Sequence, residues 1–128
     1  MNAAGFLAVG LGAAVGAWMR WWLSVLLNPI LPALPLGTLT ANLVGGYLMG
    51  IAMGLVQHAQ MFSPELRLLA MTGFLGGLTT FSAFSGEAAA LLGEQQYAWF
   101  AALISAHVVG SILMTIAGIA TVRFALSV

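Results

Sequence analysis

Long runs of apolar residues, separated by short polar or proline-rich stretches, dominate the chain. A helix needs about 20 predominantly apolar residues to cross a bilayer core of roughly 30 Å. Runs of this size predict four membrane-spanning helices, over residues of about 3–27, 36–56, 64–92 and 97–126. Because the connecting stretches are short, we expect a single all-α membrane domain over residues 1–128.

Proline and capping residues mark the ends of the predicted spans. A stiff, non-helical link follows the first span, with prolines at Pro29, Pro32 and Pro35. The third span is preceded by Ser63, whose hydroxyl can accept from a free backbone N–H group, and Pro64 fits the first helical position. The sequence therefore predicts a helix start at Pro64.

Composition and charge support a membrane protein. Apolar residues make up 62% of the chain and charged residues 5%, against about 25% charged residues in a typical soluble domain. A net charge of zero argues against a nucleic-acid partner. The absence of cysteine excludes disulfides, thiolate catalysis and cysteine-ligated metal sites. No nucleophile is paired with a base, so we do not expect an enzyme.

The arginines are nearly balanced between the two sides of the membrane. With four spans, Arg67 and Arg123 share one side, and Arg20 lies near a helix end on the other. Orientation follows the excess of lysine and arginine in short loops. A difference of one arginine is small enough to permit insertion in both orientations, which would allow two opposed copies to form an antiparallel pair. The alternative is one fixed orientation, which the arginine count favours.

A stripe of small and polar residues runs along the predicted second helix. It recurs every four residues, at Thr38, Asn42, Gly46, Gly50 and Gly54, and this spacing places its members on one helix face. We interpret the glycines as a packing groove for a neighbouring helix. The Asn42 amide fits two roles, a cross-helix hydrogen bond or a pore-lining donor.

The predicted third span contains a cluster of glycine and hydroxyl residues between Gly73 and Glu87, and its helix propensity is poorest over residues 76–80. A break there would free backbone amides and carbonyls at membrane depth, which is tolerated only where the backbone is buried in protein or lines a wet cavity. Broken helices of this kind hold cations with freed carbonyls and attract anions at half-helix N-termini. The alternative is a continuous helix whose hydroxyls bond to carbonyls one turn earlier.

Two phenylalanines and a polar line complete the candidate site. Phe81 and Phe84 share a helix face. They fit either lipid or core packing, or a pore in which their electropositive ring edges face an anion. In the fourth span His107, Ser111 and Thr115 form a polar line at four-residue spacing. We interpret His107 as a neutral, hydrogen-bonded histidine, because no second ligand shares its helix at metal-binding spacing.

Two charged residues near the predicted spans have alternative interpretations. Arg20 lies beside three tryptophans, which is typical of a side chain that extends outward at the headgroup interface. It also fits the positive mouth of an anion pathway. Glu87, a carboxylate well inside a span, fits a vestibule group, a proton carrier or an interfacial charge.

Three motifs resemble the CrcB/Fluc family of fluoride channels. They are Gly12-x-x-x-Gly16-x-x-x-Arg20, Pro35-x-Gly37-Thr38-x-x-x-Asn42-x-x-Gly45 and Gly73-Phe-Leu-Gly76-Gly77-x-Thr79-Thr80-Phe81-Ser82-x-Phe84. The third motif is the most specific, and with the four-span layout the resemblance covers essentially the whole chain. Two positions differ from the family pattern, since Ala83 stands where a hydroxyl residue is common and His107 is bulkier than the expected hydroxyl residue.

The resemblance implies a passive, fluoride-selective channel of the bacterial inner membrane that exports cytoplasmic fluoride. Its partners would be fluoride, the lipid bilayer and an inverted second copy, in a dual-topology homodimer with two pores and a broken third helix in each copy. Backbone carbonyls of Gly76 and Thr79 would hold a structural sodium ion, and Arg20 and Glu87 would line a vestibule. The implied pore residues are Thr38, Asn42, Thr80, Phe81, Ser82, Phe84, His107, Ser111 and Thr115.

Two other functions are compatible with the residues. A coupled transporter, either a fluoride/proton antiporter or a small multidrug exporter, needs a titratable group in its path, and Glu87 is the strongest candidate. The first span lacks the acidic residue that small multidrug exporters usually share. A non-transporting assembly subunit would explain the glycine stripes, but it does not explain the cluster over residues 76–85.

Overall fold

The structure, a computed structural model, describes residues 1–59 and 62–127. Within these residues four helical segments are long and apolar enough to cross a membrane, namely Ala3–Ile30, Leu36–His58, Pro64–Gly93 and Tyr97–Leu126. This confirms the predicted all-α fold with four spans. The protein is therefore a multi-pass integral membrane protein.

The first, second and fourth spans are regular, whereas the third is divided. The first consists of α1 (Ala3–Leu27) and a short 3-10 turn (Asn28–Ile30), and the second is α2 (Leu36–Ala59). The third comprises α3 (Pro64–Arg67), a π-helical segment (Leu68–Leu75), α4 (Gly76–Leu78) and α5 (Phe81–Gly93). The fourth is α6 (Tyr97–Leu126).

Side-chain caps explain where two of these elements begin. The Ser63 hydroxyl accepts from the Leu66 N–H group at 3.2 Å, which confirms the predicted start of the third span. Asn28 Oδ1 accepts from the backbone N–H groups of Gly37 and Thr38 at 2.8 and 3.2 Å. The start of α2 is therefore tied, across the proline-rich link, to the end of the first span.

Glycines allow α1 to pack directly against the third span. A Cβ atom on Gly12 would overlap the Leu69 carbonyl oxygen, and one on Gly77 would overlap the Ala13 carbonyl oxygen. Such backbone-to-backbone approach is the usual role of small residues between membrane helices. It also holds the π segment and α4 in place at the centre of the chain.

A second close approach joins α2 to α6, and we call it the α2–α6 seam. A Cβ atom on Gly50 would overlap the Thr115 carbonyl oxygen, and one on Gly118 would overlap the Tyr47 carbonyl oxygen. Gly54, on the same stripe, packs against the Val122 side chain. The seam confirms that the glycine stripe of the second span is a packing groove.

Helical geometry stops between α4 and α5, at Thr79 and Thr80. Thr79 has φ −82° and ψ 154°, and Thr80 has φ −148° and ψ 123°, so both residues are extended. The α5 helix then begins at Phe81, where the Thr80 hydroxyl accepts from the Ala83 N–H group at 3.1 Å. We call Thr79 and Thr80 the extended pair.

Buried apolar clusters lie on both sides of the extended pair. One joins α2 to the third span and consists of Ala41, Leu75 and Leu78, and the other joins α5 to α6 and consists of Phe84, Ala88, Leu91 and Leu103. Many other large apolar side chains are exposed, including Trp18, Trp21 and Trp22 near Arg20. An apolar exterior of this kind fits a lipid environment, and the extended pair lies between the two clusters.

Candidate functional site

Asn42 of α2 bonds to both backbone polar groups of Thr80. Its Oδ1 atom accepts from the Thr80 N–H group at 2.7 Å, and its Nδ2 atom donates to the Thr80 carbonyl oxygen at 3.0 Å. The same Nδ2 atom lies 3.0 Å from Nδ1 of His107 in α6. The structure thus gives Asn42 the cross-helix hydrogen bonds that were one of its two predicted roles.

These bonds divert the backbone donors that a continuous helix would use. In an α-helix the N–H group of residue i donates to the carbonyl of residue i−4. Here the Thr80 N–H group donates to Asn42 instead of Gly76, and the Ala83 N–H group donates to the Thr80 hydroxyl instead of Thr79. The carbonyl oxygens of Gly76 and Thr79 are therefore released from their usual helical donors.

Arg20 reaches the same region from α1. Its Nε atom donates to the Gly77 carbonyl oxygen at 3.0 Å, and the side chain is half-buried. This contact could not be predicted from the sequence, because the two residues are 57 positions apart and helical periodicity does not indicate which spans meet. Arg20 therefore stabilises a carbonyl at the end of α4, beside the extended pair.

The aromatic residues form a short series beside Asn42. The Phe81 and Phe84 ring centroids are 5.5 Å apart with an edge-on angle of 62°, and the Phe84 and His107 centroids are 4.7 Å apart. Phe81 is 77% exposed and Phe84 is 6% exposed. The Phe84 ring therefore packs in the core, while the Phe81 ring projects from the surface of the chain.

The hydroxyl groups near the site are bonded mainly to backbone oxygens. Thr115 Oγ1 lies 3.0 Å from the Gly46 carbonyl oxygen and 2.9 Å from the Ser111 carbonyl oxygen. The Ser82 and Thr80 hydroxyls lie 3.3 Å apart. Thr115 in α6 and Thr79 in the third span thus each bond to the carbonyl one turn earlier, a common arrangement for hydroxyl residues in membrane helices.

A cavity of about 420 Å³ lies between α2, the extended pair and α6. It brings together most of the residues predicted to line a pore, and these are Asn42, Thr80, Phe81, Phe84, His107, Ser111 and Thr115. Thr79 also lines it, whereas Thr38, Ser82, Arg20 and Glu87 are not among the lining residues. The polar side chains are mixed with apolar ones such as Met49 and Ile112.

Thr38 and Glu87 form a separate polar pair toward the proline-rich link. The Thr38 hydroxyl, 2% exposed, donates to Glu87 Oε1 at 2.6 Å. Glu87 also lines a second pocket, which includes Pro32, Pro35 and Glu94. Their pairing could not be inferred from spacing, because the residues lie on different spans and are 49 positions apart.

Metal coordination by side chains finds no support in the described residues. Within residues 1–59 and 62–127, no group of three or more histidine, aspartate or glutamate side chains is placed to hold a metal ion. The site is thus the extended pair and the cavity beside it, which is lined by an amide, hydroxyls, an imidazole and two phenylalanine rings.

Comparison with known proteins identifies relatives along almost the whole chain. A protein from Nitrosospira multiformis is 57% identical over 117 residues, covering 91% of each chain, and one from Cupriavidus pinatubonensis is 55% identical over 123 residues, covering 96% of this chain and 98% of the relative. A protein from Pseudomonas putida is 54% identical over 118 residues, covering 92% of this chain and 93% of the relative. All three are named fluoride-specific ion channel FluC.

The family model described as CrcB-like protein, Camphor Resistance (CrcB), matches residues 7–119. This range contains the Asn42 bonds, the extended pair and the polar line of α6. The match and the level of identity agree with the resemblance carried by the three sequence motifs. The chain belongs to the CrcB family.

Proposed function

We propose that the protein is a fluoride-selective ion channel that lets fluoride leave the bacterial cytoplasm passively across the inner membrane. The proposal rests on membership of a family whose relatives are named fluoride-specific ion channels. The observation that carries it is the cavity in which Asn42, Ser111 and Thr80 face the two phenylalanines beside the extended pair. A channel catalyses no bond rearrangement, which agrees with a non-enzymatic role.

The chemistry of the cavity suits a small, strongly hydrated anion. A pore must replace the water around the ion with hydrogen-bond donors and still bind the ion weakly enough to release it. Neutral hydroxyl and amide donors meet both needs, and phenylalanine edges add weak positive potential without a full charge. Both Nδ2 hydrogens of Asn42 are engaged, so a fluoride ion at Asn42 would replace its bond to Thr80 or to His107.

A second copy, inverted in the membrane, would complete the pathway. Val108 and Ile112 of α6 line the cavity, yet they are 46% and 56% exposed on this copy. Phe81 is also exposed at the same edge. Apposition of two such surfaces would bury these apolar groups, and the near balance of the arginines permits the opposed insertion that an antiparallel dimer with two pores needs.

A sodium ion would fit the carbonyl oxygens of Gly76 and Thr79. These two oxygens lose their helical donors to Asn42 and Thr80, and unwound backbone carbonyls are typical sodium ligands in membrane proteins. Two inverted copies would contribute four such oxygens. The ion would neutralise the negative ends of the α4 helices and would hold the extended pairs together.

The remaining predicted residues would lie at the entrances of the fluoride pathway. Arg20 would supply positive potential near the pathway while its Nε atom bonds to Gly77. The Thr38 and Glu87 pair would lie in a vestibule by the proline-rich link, and Ser82 would extend the polar surface from the Thr80 hydroxyl.

Fluoride efflux from liposomes that contain the purified protein tests the proposal. Valinomycin is added so that potassium ions leave with fluoride and balance its charge. Fluoride is then expected to leave rapidly whether or not a proton gradient is imposed. Flux that strictly requires proton counter-movement would support the coupled transporter instead. Absence of any fluoride flux would overturn the channel.

Substitution of the ring edges tests the pathway itself. Phe81→Ile and Phe84→Ile remove the electropositive edges while keeping an apolar side chain, so we expect each to abolish fluoride efflux without loss of the dimer on size-exclusion chromatography. Phe6→Ile, on an exposed face of α1, is the matched control and should conduct like the unaltered protein. Normal fluoride efflux in both site variants would show that the two rings serve only packing.

A further inference from the structure

Thr79, the first residue of the extended pair, has a side chain that is held in one direction. Its hydroxyl oxygen Oγ1 donates to the Leu75 carbonyl oxygen at 2.8 Å, and its backbone N–H group donates to the same oxygen at 3.0 Å. A β-branched side chain has little freedom of rotation about χ1. The bond from Oγ1 therefore also sets the direction of the second branch, the methyl group Cγ2.

The Thr79 methyl group occupies a space that exists because residue 45 is a glycine. Gly45 lies on α2 and is buried, and a Cβ atom added to it would overlap Thr79 Cγ2. The methyl group could move aside only by rotation about χ1, which would take Oγ1 away from the Leu75 carbonyl oxygen. We call the space beside Gly45 that holds this methyl group the Gly45 notch.

The Gly45 notch and the Asn42 amide lie on the same side of α2. Residues three positions apart are neighbours on a helix surface, and Asn42 and Gly45 both line the cavity together with the extended pair. Asn42 bonds to the backbone groups of Thr80 at 2.7 and 3.0 Å. A planar peptide unit keeps consecutive Cα atoms about 3.8 Å apart. Displacement of Thr79 from the notch would therefore also displace Thr80 from Asn42.

We infer that Gly45 is a positioning residue of the fluoride pathway, because its notch takes the Thr79 methyl group and thereby holds Thr80 within hydrogen-bonding distance of Asn42. The extended pair is thus held at two points, one polar and one steric. Hydrogen bonds weaken steeply as their geometry departs from linear, and the steric contact preserves that geometry. The inference rests on the proposed channel function and adds to it a residue that acts through its lack of a side chain.

A pair of compensating substitutions tests the Gly45 notch. Gly45→Ala adds the overlapping Cβ atom, and relief of the overlap costs the Thr79 hydroxyl bond, so fluoride efflux should fall about fivefold or more. Thr79→Ser removes Cγ2 and keeps Oγ1. The double variant should therefore conduct within about twofold of Thr79→Ser alone, whereas independent substitutions would add their losses. A double variant that conducts no better than Gly45→Ala would overturn the inference.

Gly10→Ala is the matched control for the exchange of a helical glycine. A Cβ atom on Gly10 would have nothing within 4 Å, so this variant should conduct fluoride like the unaltered protein. Combined with Thr79→Ser, it should give the same efflux as Thr79→Ser alone. Equal losses of efflux in Gly10→Ala and Gly45→Ala would contradict a steric effect confined to the notch.

The side-chain amide signal of Asn42 reports the position of Thr80 without a transport measurement. The sequence contains three asparagines, Asn2, Asn28 and Asn42, so asparagine labelled with nitrogen-15 gives few NMR signals. Gly45→Ala should shift the Asn42 Nδ2 signal, because its bond to the Thr80 carbonyl is disturbed, and the double variant should restore the signal. An Asn42 signal unchanged by Gly45→Ala would overturn the inference.

The double variant also covers the case in which Gly45→Ala yields no folded protein. The notch then predicts that addition of Thr79→Ser recovers a monodisperse peak on size-exclusion chromatography, because the overlapping methyl group is gone. Failure to recover folded protein in the double variant would overturn the inference.

The outcomes distinguish the inference from the proposed function. If the unaltered protein transports no fluoride, the channel itself is wrong, while the Asn42 signal still tests the notch. If Gly45→Ala conducts like the unaltered protein, the channel stands and Gly45 has no positioning role. Loss of efflux and a shifted Asn42 signal in Gly45→Ala, with recovery of both in the double variant, together support the assignment.

Discussion

The α2–α6 seam and the extended pair are both built from small and hydroxyl residues, yet they use the backbone differently. In the seam, Gly50 and Gly118 let two helices touch, and Thr115 bonds to the Ser111 carbonyl one turn earlier. Both helices of the seam continue unbroken. At the extended pair the N–H group of Thr80 leaves its helical acceptor and donates to Asn42.

The difference concerns how the backbone leaves helical geometry at Thr79 and Thr80. Glycine lowers helix stability, but the glycines of the seam lie in regular helix. There the Thr115 hydroxyl bonds only to carbonyl oxygens and does not accept from a backbone N–H group. At the extended pair, Asn42 and the Thr80 hydroxyl do accept from backbone N–H groups. Small residues therefore bring helices together, whereas a polar side chain from a neighbouring helix is needed to hold backbone groups out of the helix.

The largest expected effect is on the seam. Gly50→Leu places a side chain where even a Cβ atom would overlap the Thr115 carbonyl oxygen. Because this oxygen belongs to the backbone and cannot move aside without separating the helices, the cost should exceed the usual cost of overpacking, about 1–3 kcal/mol. We expect little monodisperse protein on size-exclusion chromatography. Gly10→Leu is the matched control, because a Cβ atom on Gly10 would have nothing within 4 Å. Equal yields of the two variants would contradict the close packing.

A smaller loss of stability is expected at the extended pair. Asn42→Ala removes the partners of both backbone groups of Thr80, and a buried polar group left unpaired costs about 1–3 kcal/mol. The variant should fold with a lower melting temperature in detergent and should lose fluoride efflux. Asn42→Asp keeps an acceptor for the Thr80 N–H group, so its melting temperature should lie between those of Asn42→Ala and the unaltered protein. An unchanged melting temperature for Asn42→Ala would show that the extended pair is held by other contacts.

The smallest effect is expected for a hydroxyl in the seam. Thr115→Val removes one hydroxyl bond to the Gly46 and Ser111 carbonyls while keeping the branched shape, and such bonds in membrane proteins average about 0.6 kcal/mol. The melting temperature should fall only slightly. A decrease as large as that of Asn42→Ala would mean that polar bonding, and not glycine packing, holds the seam together.

Periodicity and hydropathy predicted the four spans, because the length of an apolar run reports directly on membrane crossing. Spacing also predicted that Gly46, Gly50 and Gly54 share a face, and the seam confirms that they pack against a neighbour. These features depend on a single helix or on one face of it. Such features can therefore be predicted from residues that are close together in the sequence.

Contacts between spans could not be predicted in the same way. The bonds from Arg20 to Gly77, from Thr38 to Glu87 and from Asn42 to Thr80 join residues 57, 49 and 38 positions apart. The pattern along one helix does not indicate which other helix meets it or at what height. For Asn42 the sequence left two roles open, and the choice of partner emerged only when α2, α5 and α6 were placed together.

Efflux of two anions from one vesicle population tests the central claim most directly. Liposomes that contain the purified protein are loaded with fluoride and chloride together, and both ions are followed by selective electrodes after addition of valinomycin. A pathway of neutral donors and ring edges at the extended pair predicts rapid loss of fluoride while chloride stays inside. Retention of both ions, or their equal release, would contradict a fluoride-selective channel.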